Sequence, residues 1–327
     1  MSDIRLEKVN EAFIRVHSER NIAQELSDYF TFFVPGYQFT PAYKARYWDG
    51  KIRLLDLRTM GLYHGLVPYI QKFAEERQYQ VEIDSEVTAT ENYSLIEAKK
   101  FIETLNLPHE VRDYQLNSFV HAIRNKRILL LSPTASGKSL ILYLILRQIQ
   151  DANHKKGLLI VPTTSLVEQM YKDFQDYGYD SDKHCHRQYA GKDKVTDKFL
   201  TITTWQSIYK NSPEYFEQYD FVLGDEAHQF KAKSLTTIMS GTINAKYRIG
   251  CTGTLDGTQT HKLVLEGLFG PVNKVVSTKS FFVGSHTKKE NPLPLPAYAP
   301  PALKTSIYPS LLKSPVVIAC NAPPQKF

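Results

Sequence analysis

Residues 127–146 read RILLLSPTASGKSLILYLIL, and this stretch decides the fold. Its beginning, residues 127–131, is a short apolar run of the kind that is buried in a parallel sheet. Its end, residues 140–146, predicts a helix that is apolar nearly all round. Gly137, Lys138 and Ser139 lie between the two. The order of strand, Gly-Lys-Ser loop and buried helix predicts a phosphate-binding loop in an α/β fold.

The loop has the groups that a nucleotide needs. Backbone N–H groups of the loop and of the following helix terminus point at phosphates, and Gly137 lets the backbone approach them closely. Lys138 is expected to reach the β- and γ-phosphates, and the Ser139 hydroxyl is expected to ligate Mg²⁺. The pattern departs from its usual form at the first position, where Ser132 replaces glycine. The residues predicted to bind ATP are Ser132, Pro133, Thr134, Ala135, Ser136, Gly137, Lys138 and Ser139.

A second apolar run, residues 219–224, ends at the acidic pair Asp225-Glu226. In enzymes with such a loop, an aspartate at the end of a neighbouring strand holds Mg²⁺, and an adjacent carboxylate polarises the attacking water. We therefore assign Asp225 to the metal and Glu226 to the water, and we expect His228 near the γ-phosphate. The alternative is a solvated acidic pair at a strand end, which the occurrence of both motifs in the correct order disfavours.

Together, the loop and the sequence Asp225-Glu226-Ala227-His228 resemble motifs I and II of superfamily 2 helicases and translocases. Smaller motifs of that family have counterparts in the chain. Residues 112–115 (RDYQ) resemble its adenine-reading glutamine motif, 161–167 (VPTTSLV) motif Ia, 203–207 (TTWQS) motif Ib, and 251–254 (CTGT) motif III. The resemblance implies a RecA-like lobe that hydrolyses ATP with the help of Mg²⁺.

The same resemblance implies roles for particular residues. Gln115 would bind the adenine of ATP. Hydroxyl-rich turns at strand ends can hold phosphate oxygens without reading bases, so motifs Ia and Ib imply contacts with a nucleic-acid backbone. The residues concerned are Thr163, Thr164, Thr204, Trp205 and Gln206. Taken singly, such motifs are ordinary turn chemistry, and it is their order and spacing that support the resemblance.

Two details favour DNA over RNA as the nucleic acid. Thr252-Gly253-Thr254 stands in place of Ser-Ala-Thr, and the dipeptide Tyr114-Gln115 is usual in the duplex-DNA branch of the family. That branch implies an ATP-dependent motor on branched or duplex DNA, including RNA–DNA hybrids, with roles in fork regression, branch migration and R-loop unwinding during recombination, repair and replication. An RNA helicase is the alternative within the class. A nucleic-acid-binding module with a structural, non-hydrolysing ATP site is the alternative outside it.

The chain divides into units along its length. Apolar strands alternate with helical patterns over residues 109–279, which predicts one RecA-like lobe on a parallel sheet. Residues 1–85 predict a small α/β DNA-binding domain, and residues 86–108 predict its connection to the lobe. The strands predicted in the lobe are 127–131, 157–161, 199–203, 219–224 and 247–251. Outside it, helices are predicted at 19–30, 66–78 and 94–105, and strands at 51–57 and 79–84.

Residues 37–58 of the first unit interleave aromatic with basic side chains. Such a mixture suits a nucleic-acid surface, because the charges meet phosphates and the rings meet exposed bases. The basic residues predicted to contact nucleic acid are Lys44, Arg46, Lys51 and Arg53. The alternative is a half-buried strand pair whose rings fill a small core while its basic residues face water.

Residues 280–327 differ from the rest in composition. They hold nine of the 17 prolines and a single acidic residue, Glu290, without helical or strand periodicity. This composition predicts a disordered or non-native tail. Superfamily 2 motors need a second RecA-like lobe with an arginine finger, worth on the order of 10³–10⁵ in turnover in related enzymes. No pattern for that lobe is present, so we expect a truncated motor that is weak or inactive alone. A second lobe on another chain is the alternative.

Composition bounds the remaining possibilities. The net charge of the 327 residues is +6, but most of this excess comes from the tail, so the charge is weak evidence for nucleic-acid binding. The three cysteines are far apart, which fits reduced thiols in the cytoplasm. No apolar run approaches eighteen residues, so no membrane span is predicted. We expect a cytoplasmic monomer.

Overall fold

Two units, each with its own sheet, make up the described part of the chain. The computed structural model describes residues 2–133, 136–154, 156–189, 196–230, 232–255 and 259–275. The predicted tail, residues 280–327, lies outside these ranges. Among the described helices, none is long and apolar enough to cross a membrane.

The N-terminal unit is a four-stranded sheet with a hairpin beside it. Its strands are β1 (Ile4–Lys8), β2 (Phe13–Ser18), β3 (Thr31–Phe33), β4 (Lys51–Arg53), β5 (Gly61–Tyr63) and β6 (Val81–Ile83). The sheet has the order β5-β2-β1-β6, and β3 pairs with β4 in a separate antiparallel hairpin. The helices are α1 (Arg20–Tyr29), α2 (Pro41–Lys44) and α3 (Val67–Arg77). Residues of α1 and α3 join the sheet in one apolar core.

The strand predicted at 51–57 is shorter than expected. It ends at Arg53, because a turn built on Asp56 follows: the Asp56 carboxylate accepts hydrogen bonds from the Arg58 backbone N–H and the Thr59 hydroxyl, both at 2.9 Å. Aspartate side chains of this kind compete with strand pairing for the backbone. The strands β1 and β2 were not predicted from the sequence.

The second unit is built on a seven-stranded sheet in which every pairing is parallel. Its strands are β7 (Arg127–Leu131), β8 (Gly157–Val161), β9 (Cys185–Gln188), β10 (Leu200–Thr204), β11 (Phe221–Gly224), β12 (Tyr247–Thr252) and β13 (Val272–Lys274). Their order is β13-β7-β12-β11-β8-β10-β9. This confirms the predicted RecA-like α/β fold. The two strands that the sequence did not predict, β9 and β13, lie at the sheet edges and lack a continuous apolar run.

Helices cover both faces of this sheet. They are α4 (Leu95–Thr104), α5 (Asp113–Asn125), α6 (Lys138–Asp151), α7 (Thr164–Asp176), α8 (Ser181–His184), α9 (Trp205–Ile208), α10 (Pro213–Glu217), α11 (Ala232–Gly241) and α12 (Gln259–Phe269). One face packs against α4 to α7. The other face packs against α9 to α12, in the same apolar core as the N-terminal unit.

Polar and close-packed contacts join the two units. The Arg127 guanidinium at the start of β7 forms a 2.5 Å ion pair with the Glu11 carboxylate. The Tyr69 hydroxyl of α3 donates a hydrogen bond of 2.5 Å to the buried Glu266 carboxylate of α12. A Cβ atom added at Gly65 would lie 2.0 Å from the backbone oxygen of Glu266, so only glycine permits this approach. The N-terminal unit is therefore seated directly on α12.

Candidate nucleotide and nucleic-acid sites

The phosphate-binding loop, the acidic pair and the Thr-Gly-Thr motif meet at one edge of the large sheet. The loop follows β7 and the acidic pair follows β11, while β12, which ends at Thr252, lies between these two strands. The backbone N–H of Ser132 donates to the Thr252 carbonyl at 2.8 Å. Because parallel strands end on the same edge, motifs that are distant in sequence become neighbours here.

The loop is held in shape by its own serines. The hydroxyls of Ser132 and Ser136 lie 2.5 Å apart, and the Ser136 hydroxyl donates to the Pro133 carbonyl at 2.7 Å. Ser132, which stands where the usual pattern has glycine, therefore connects the start of the loop to Ser136. Gly137 has φ +75°, a left-handed conformation that favours glycine. Thr134 and Ala135, also predicted to bind ATP, lie outside the described residues.

Gln115 and its neighbour Tyr114 contact the same loop. The Gln115 amide donates to the Ser136 carbonyl at 3.1 Å, and the Tyr114 hydroxyl donates to the same oxygen at 3.0 Å. The side-chain oxygen of Gln115 accepts from the backbone N–H of Arg112 at 3.0 Å. Gln115 is thus a buried residue fixed against the loop, at 4% exposure, and not a free surface residue.

One carboxylate connects all three motifs. The Lys138 ammonium of the loop forms an ion pair with the Glu226 carboxylate, and both side chains are largely buried. The second oxygen of Glu226 accepts a hydrogen bond of 3.2 Å from the Gly253 backbone N–H. Glu226 has φ +48°, which is a strained conformation for a residue with a side chain. We interpret this strain as the result of holding the Glu226 carboxylate against both Lys138 and Gly253.

Asp225 is a buried carboxyl beside this pair. Burial raises its pKa to about 6, and the charge of Lys138 acts in the opposite direction. Its carboxylate accepts a hydrogen bond of 3.0 Å from the Glu226 backbone N–H. A desolvated carboxylate gains from a bound cation. The donor set of Asp225 and the Ser139 hydroxyl therefore fits a hard divalent ion such as Mg²⁺.

The Ser139 hydroxyl has a partner that the sequence did not predict. It lies 3.0 Å from the Tyr177 hydroxyl, just beyond the end of α7. Burial raises the pKa of the Asp173 carboxyl, and the Ser139 hydroxyl acts in the opposite direction. Asp173 and Tyr177 are four residues apart and share a helix face. The sequence shows this spacing, but only the packing of α7 on α6 shows that Tyr177 contacts Ser139.

His228 is linked to the Thr-Gly-Thr motif. Its Nδ1 atom lies 2.7 Å from the Thr252 hydroxyl, which itself donates to the Thr254 carbonyl at 2.7 Å. The hydroxyl has one proton, so Nδ1 is the donor in the first contact. Nδ1 also lies 3.4 Å from the Glu226 carboxylate. The acidic motif and the Thr-Gly-Thr motif are therefore joined by side chains as well as by the sheet.

The residues of motifs Ia and Ib divide into exposed and buried groups. Thr163 and Thr164 are exposed at the start of α7, where the Thr163 hydroxyl accepts from the Leu166 N–H at 3.3 Å. Gln206 is also exposed, and its amide donates to the Pro162 carbonyl at 3.2 Å, which ties the two motifs together. Thr204 and Trp205, predicted with them, are buried beneath this surface at 3% and 8% exposure.

The four basic residues predicted in the N-terminal unit lie on the β3–β4 hairpin. Lys44 and Arg46 are exposed in its loop. On β4, Lys51 lies over the Phe33 ring, 4.9 Å from its centroid, and Arg53 forms an ion pair with the exposed Asp49. The structure brings these four residues together on one hairpin. In sequence, this hairpin is far from motifs Ia and Ib, which belong to the RecA-like lobe.

Family models match both units. Residues 3–84 match the N-terminal family of the UvsW DNA helicase, and residues 75–257 match the res subunit of type III restriction enzymes. The chain is 33% identical over 286 residues to the ATP-dependent DNA helicase uvsW of Enterobacteria phage T4, an alignment that covers 84% of this chain and 57% of that protein. This chain belongs to the UvsW helicase family. The predicted resemblance to superfamily 2 helicases is thereby confirmed. The small N-terminal unit with Tyr47-Trp48-Asp49-Gly50-Lys51, followed by the RecA-like lobe, also resembles the UvsW helicase of T-even phages, and this resemblance is confirmed as well.

Solved structures agree with this assignment. A crystal structure of the UvsW helicase from bacteriophage T4 superposes with a TM-score of 0.77 at 32% identity, covering 83% of this chain and 99% of that chain. A second T4 UvsW structure gives a TM-score of 0.78, covering 84% of this chain and 57% of that chain. A more distant relative, the DNA 3'-5' translocase XPB2 of Sulfurisphaera tokodaii, is 25% identical over 205 residues, covering 62% of this chain and 42% of that protein. The chain therefore spans 57% of the length of its phage T4 relative.

Proposed function

We propose that this UvsW-type chain is an ATP-dependent DNA helicase or translocase. The observation that supports this most strongly is the Glu226 carboxylate, which contacts both Lys138 and Gly253 and so joins the phosphate-binding loop to the two motifs beside it. Such a shared contact allows a nucleotide at the loop to change the arrangement of the other two. A phosphate-binding loop that drives no movement would not need a carboxylate that contacts both Lys138 and Gly253.

The residues at this edge have distinct proposed roles. Lys138 leaves Glu226 and binds the β- and γ-phosphates of ATP. Glu226 is then free to orient and polarise the attacking water, while His228 transmits the state of the site to Thr252. Ser139 and Asp225 would hold Mg²⁺, which supplies charge neutralisation at the phosphates when it is bound. The contact between Ser132 and Ser136 and the positive φ of Gly137 set the two ends of the loop that would receive the phosphates.

The proposed nucleic-acid contacts lie on two surfaces. On the RecA-like lobe, Thr163, Thr164 and Gln206 are exposed and hold phosphate oxygens, while Thr204 and Trp205 support them from beneath. On the N-terminal unit, the basic residues Lys44, Arg46, Lys51 and Arg53 bind the DNA backbone. The proposed substrates are branched or duplex DNA and RNA–DNA hybrids, with roles in fork regression, branch migration and R-loop unwinding in a phage-infected cell.

The direct test is ATP turnover by a version of the protein that also carries a second RecA-like lobe, with duplex, forked and single-stranded DNA and with RNA, with nucleic-acid binding measured in the same samples. We expect DNA to raise turnover in the wild type and not in Lys138→Ala. Turnover that is unchanged by DNA, or that Lys138→Ala does not reduce, would contradict the proposal.

The same samples distinguish the alternatives. Stimulation by RNA in preference to every DNA form would indicate an RNA helicase. DNA binding that survives both Lys138→Ala and Glu226→Gln, without turnover in any sample, would indicate a binding module whose ATP site is structural.

A further inference from the structure

The loop of the β3–β4 hairpin is unusually long and well packed. It covers residues 34–50, whereas hairpin loops commonly have about 2–5 residues. Tyr37 stacks on Phe33 with ring centroids 4.9 Å apart, and Tyr43 meets Tyr37 edge-on at 4.8 Å. The backbone N–H of Val34 donates to the Gly50 carbonyl at 2.8 Å and closes the loop. Long, ordered loops of this kind are often functional.

This inner packing leaves other rings in solvent. Tyr47 is 90% exposed and Phe39 72%, and Phe33 remains 52% exposed although Tyr37 stacks on it. Within the described ranges, every exposed large apolar side chain that is aromatic belongs to this segment. A loop in which two half-buried tyrosines already pack against each other could have polar residues at the outer positions. Exposed rings concentrated in one hairpin are the feature that needs a ligand to explain it.

The surroundings of the rings define the ligand. A cavity of about 540 Å³ opens beside Tyr47, and its walls include Lys44, Arg46 and Trp48. The one carboxylate in its wall, Asp49, is neutralised by Arg53. A partner must therefore offer negative charge together with flat, unsaturated rings.

Unpaired nucleic acid has both properties, and duplex DNA does not. Bases in a duplex are stacked on each other, so their faces are closed to protein rings. Bases in a single strand can stack on aromatic side chains while Lys and Arg follow the phosphates. A site for a duplex alone would gain nothing from the exposed rings of Tyr47 and Phe39.

We propose that the hairpin loop is a stacking site for unpaired bases, with Tyr47 and Phe39 as the rings and Lys44 and Arg46 as the phosphate contacts. This rests on the proposed function in one respect, since it takes DNA as the ligand, and it specifies which part of a branched DNA the N-terminal unit holds. The single-stranded part of a fork binds to the loop, and the paired arms bind elsewhere.

The test compares an oligothymidine single strand with a blunt duplex, using labelled DNA and the full chain. Tyr47→Ala and Phe39→Ala should each weaken binding of the single strand about tenfold, the loss expected from one base stack. Binding of the blunt duplex should change less than twofold. Tyr47→Phe should bind the single strand like the wild type, because the ring is retained. Ile96→Ala is the matched control, because Ile96 is 69% exposed on α4, outside the loop.

Intrinsic fluorescence gives a second, local readout. The chain has two tryptophans, and Trp205 is buried, while Trp48 forms part of the cavity wall. Single-stranded DNA should quench emission in the wild type and not in Trp48→Phe.

Three results would overturn the proposal: equal losses for single strand and duplex in Tyr47→Ala, no loss for either, or no change in Trp48 emission at saturating single strand. Each of these can occur while DNA still stimulates turnover, so failure of the stacking site is distinguishable from failure of the proposed function.

Discussion

The nucleotide site and the hairpin loop treat their functional side chains in opposite ways. At the nucleotide site both groups are engaged inside the chain: Lys138 by Glu226, and Ser139 by Tyr177. In the hairpin loop, Tyr47 and Phe39 face water. A buried charge needs a partner at all times, whereas an exposed ring does not. A ligand site whose charged side chains are paired with each other therefore cannot be recognised from solvent exposure, whereas a site made of exposed rings can.

Lys138→Ala should have the largest effect and tests the first half of this contrast. If Lys138 binds phosphates once it leaves Glu226, its removal should lower ATP turnover on the order of 10³-fold, as loss of a group that stabilises transition-state charge does. Turnover is followed by phosphate release in the version that carries both RecA-like lobes. Lys99→Ala, at an exposed lysine of α4, is the matched control and should be neutral. Equal rates in the two variants would mean that the pair has no part in turnover.

The comparison of the two sites treats the N-terminal unit as fixed on the RecA-like lobe. The Glu11→Gln variant tests this, because Glu11 pairs with Arg127 across the two units. The change leaves the Arg127 guanidinium, 11% exposed, without its ion-pair partner. Breaking such a buried pair should lower the free energy of unfolding by roughly 3 kcal/mol. Chemical denaturation provides the measurement. Glu25→Gln, which breaks a surface pair with Arg77, should cost less than about 1 kcal/mol.

The same ion pair predicts a pH dependence. Although burial acts in the opposite direction, the Lys8 hydrogen bond and the Arg127 charge hold the pKa of Glu11 below its ordinary value. The pair therefore contributes stability above the pKa of an unfolded glutamate, about 4.3, and loses it as pH falls further. The stability difference between wild type and Glu11→Gln should shrink below about pH 4. A difference that stays constant there would exclude this linkage.

Glu226→Gln separates binding from turnover at the nucleotide site. Without a carboxylate to polarise water, turnover should fall on the order of 10²-fold, while Mg-ATP still binds. Single-turnover kinetics with a measured nucleotide affinity distinguish the two steps. Glu217→Gln, at an exposed glutamate of α10, controls for the loss of a charge. Full turnover in Glu226→Gln would remove this residue from the catalytic group.

The smallest effect is expected from Tyr177→Phe, which removes only the hydroxyl next to Ser139. The loss of one hydrogen bond, worth about 1 kcal/mol, should raise the Mg²⁺ concentration needed for half-maximal nucleotide binding by about fivefold. Tyr209→Phe, away from the loop, should leave it unchanged. If Tyr177→Phe also left it unchanged, Tyr177 would be a packing residue and no more.

The parts of the fold that sequence analysis predicts best are those with continuous apolar runs. The strand 127–131 is buried at its three central residues and the helix is buried throughout 140–146, so composition alone identifies them. Among the described strands, β9 and β13 lie at the edges with one neighbour each, carry polar residues, and so give no such signal. The predicted strand at 51–57 ends early because the Asp56 side chain forms a local turn.

Side-chain direction was harder to predict than the position of motifs. The sequence placed Trp205 with the nucleic-acid contacts, but a motif of five residues does not show which of them faces inward. The rings of residues 37–58 could fill a small core or face a ligand. In the structure they divide, with Tyr37 and Tyr43 packed inside the loop and Tyr47 outside. The contact of Tyr177 with Ser139 depends on the packing of two helices and is not visible in any local pattern.

The most direct test of the central claim is equilibrium binding of Mg-ATP to the wild type, Lys138→Ala and Glu226→Gln. The claim is that Glu226 holds Lys138 until phosphate replaces it. It predicts that Lys138→Ala binds at least tenfold more weakly, while Glu226→Gln binds as tightly as the wild type or more so, because the competitor for Lys138 is gone. Equal weakening in both variants would contradict it, because the two side chains would then act as a fixed structural pair.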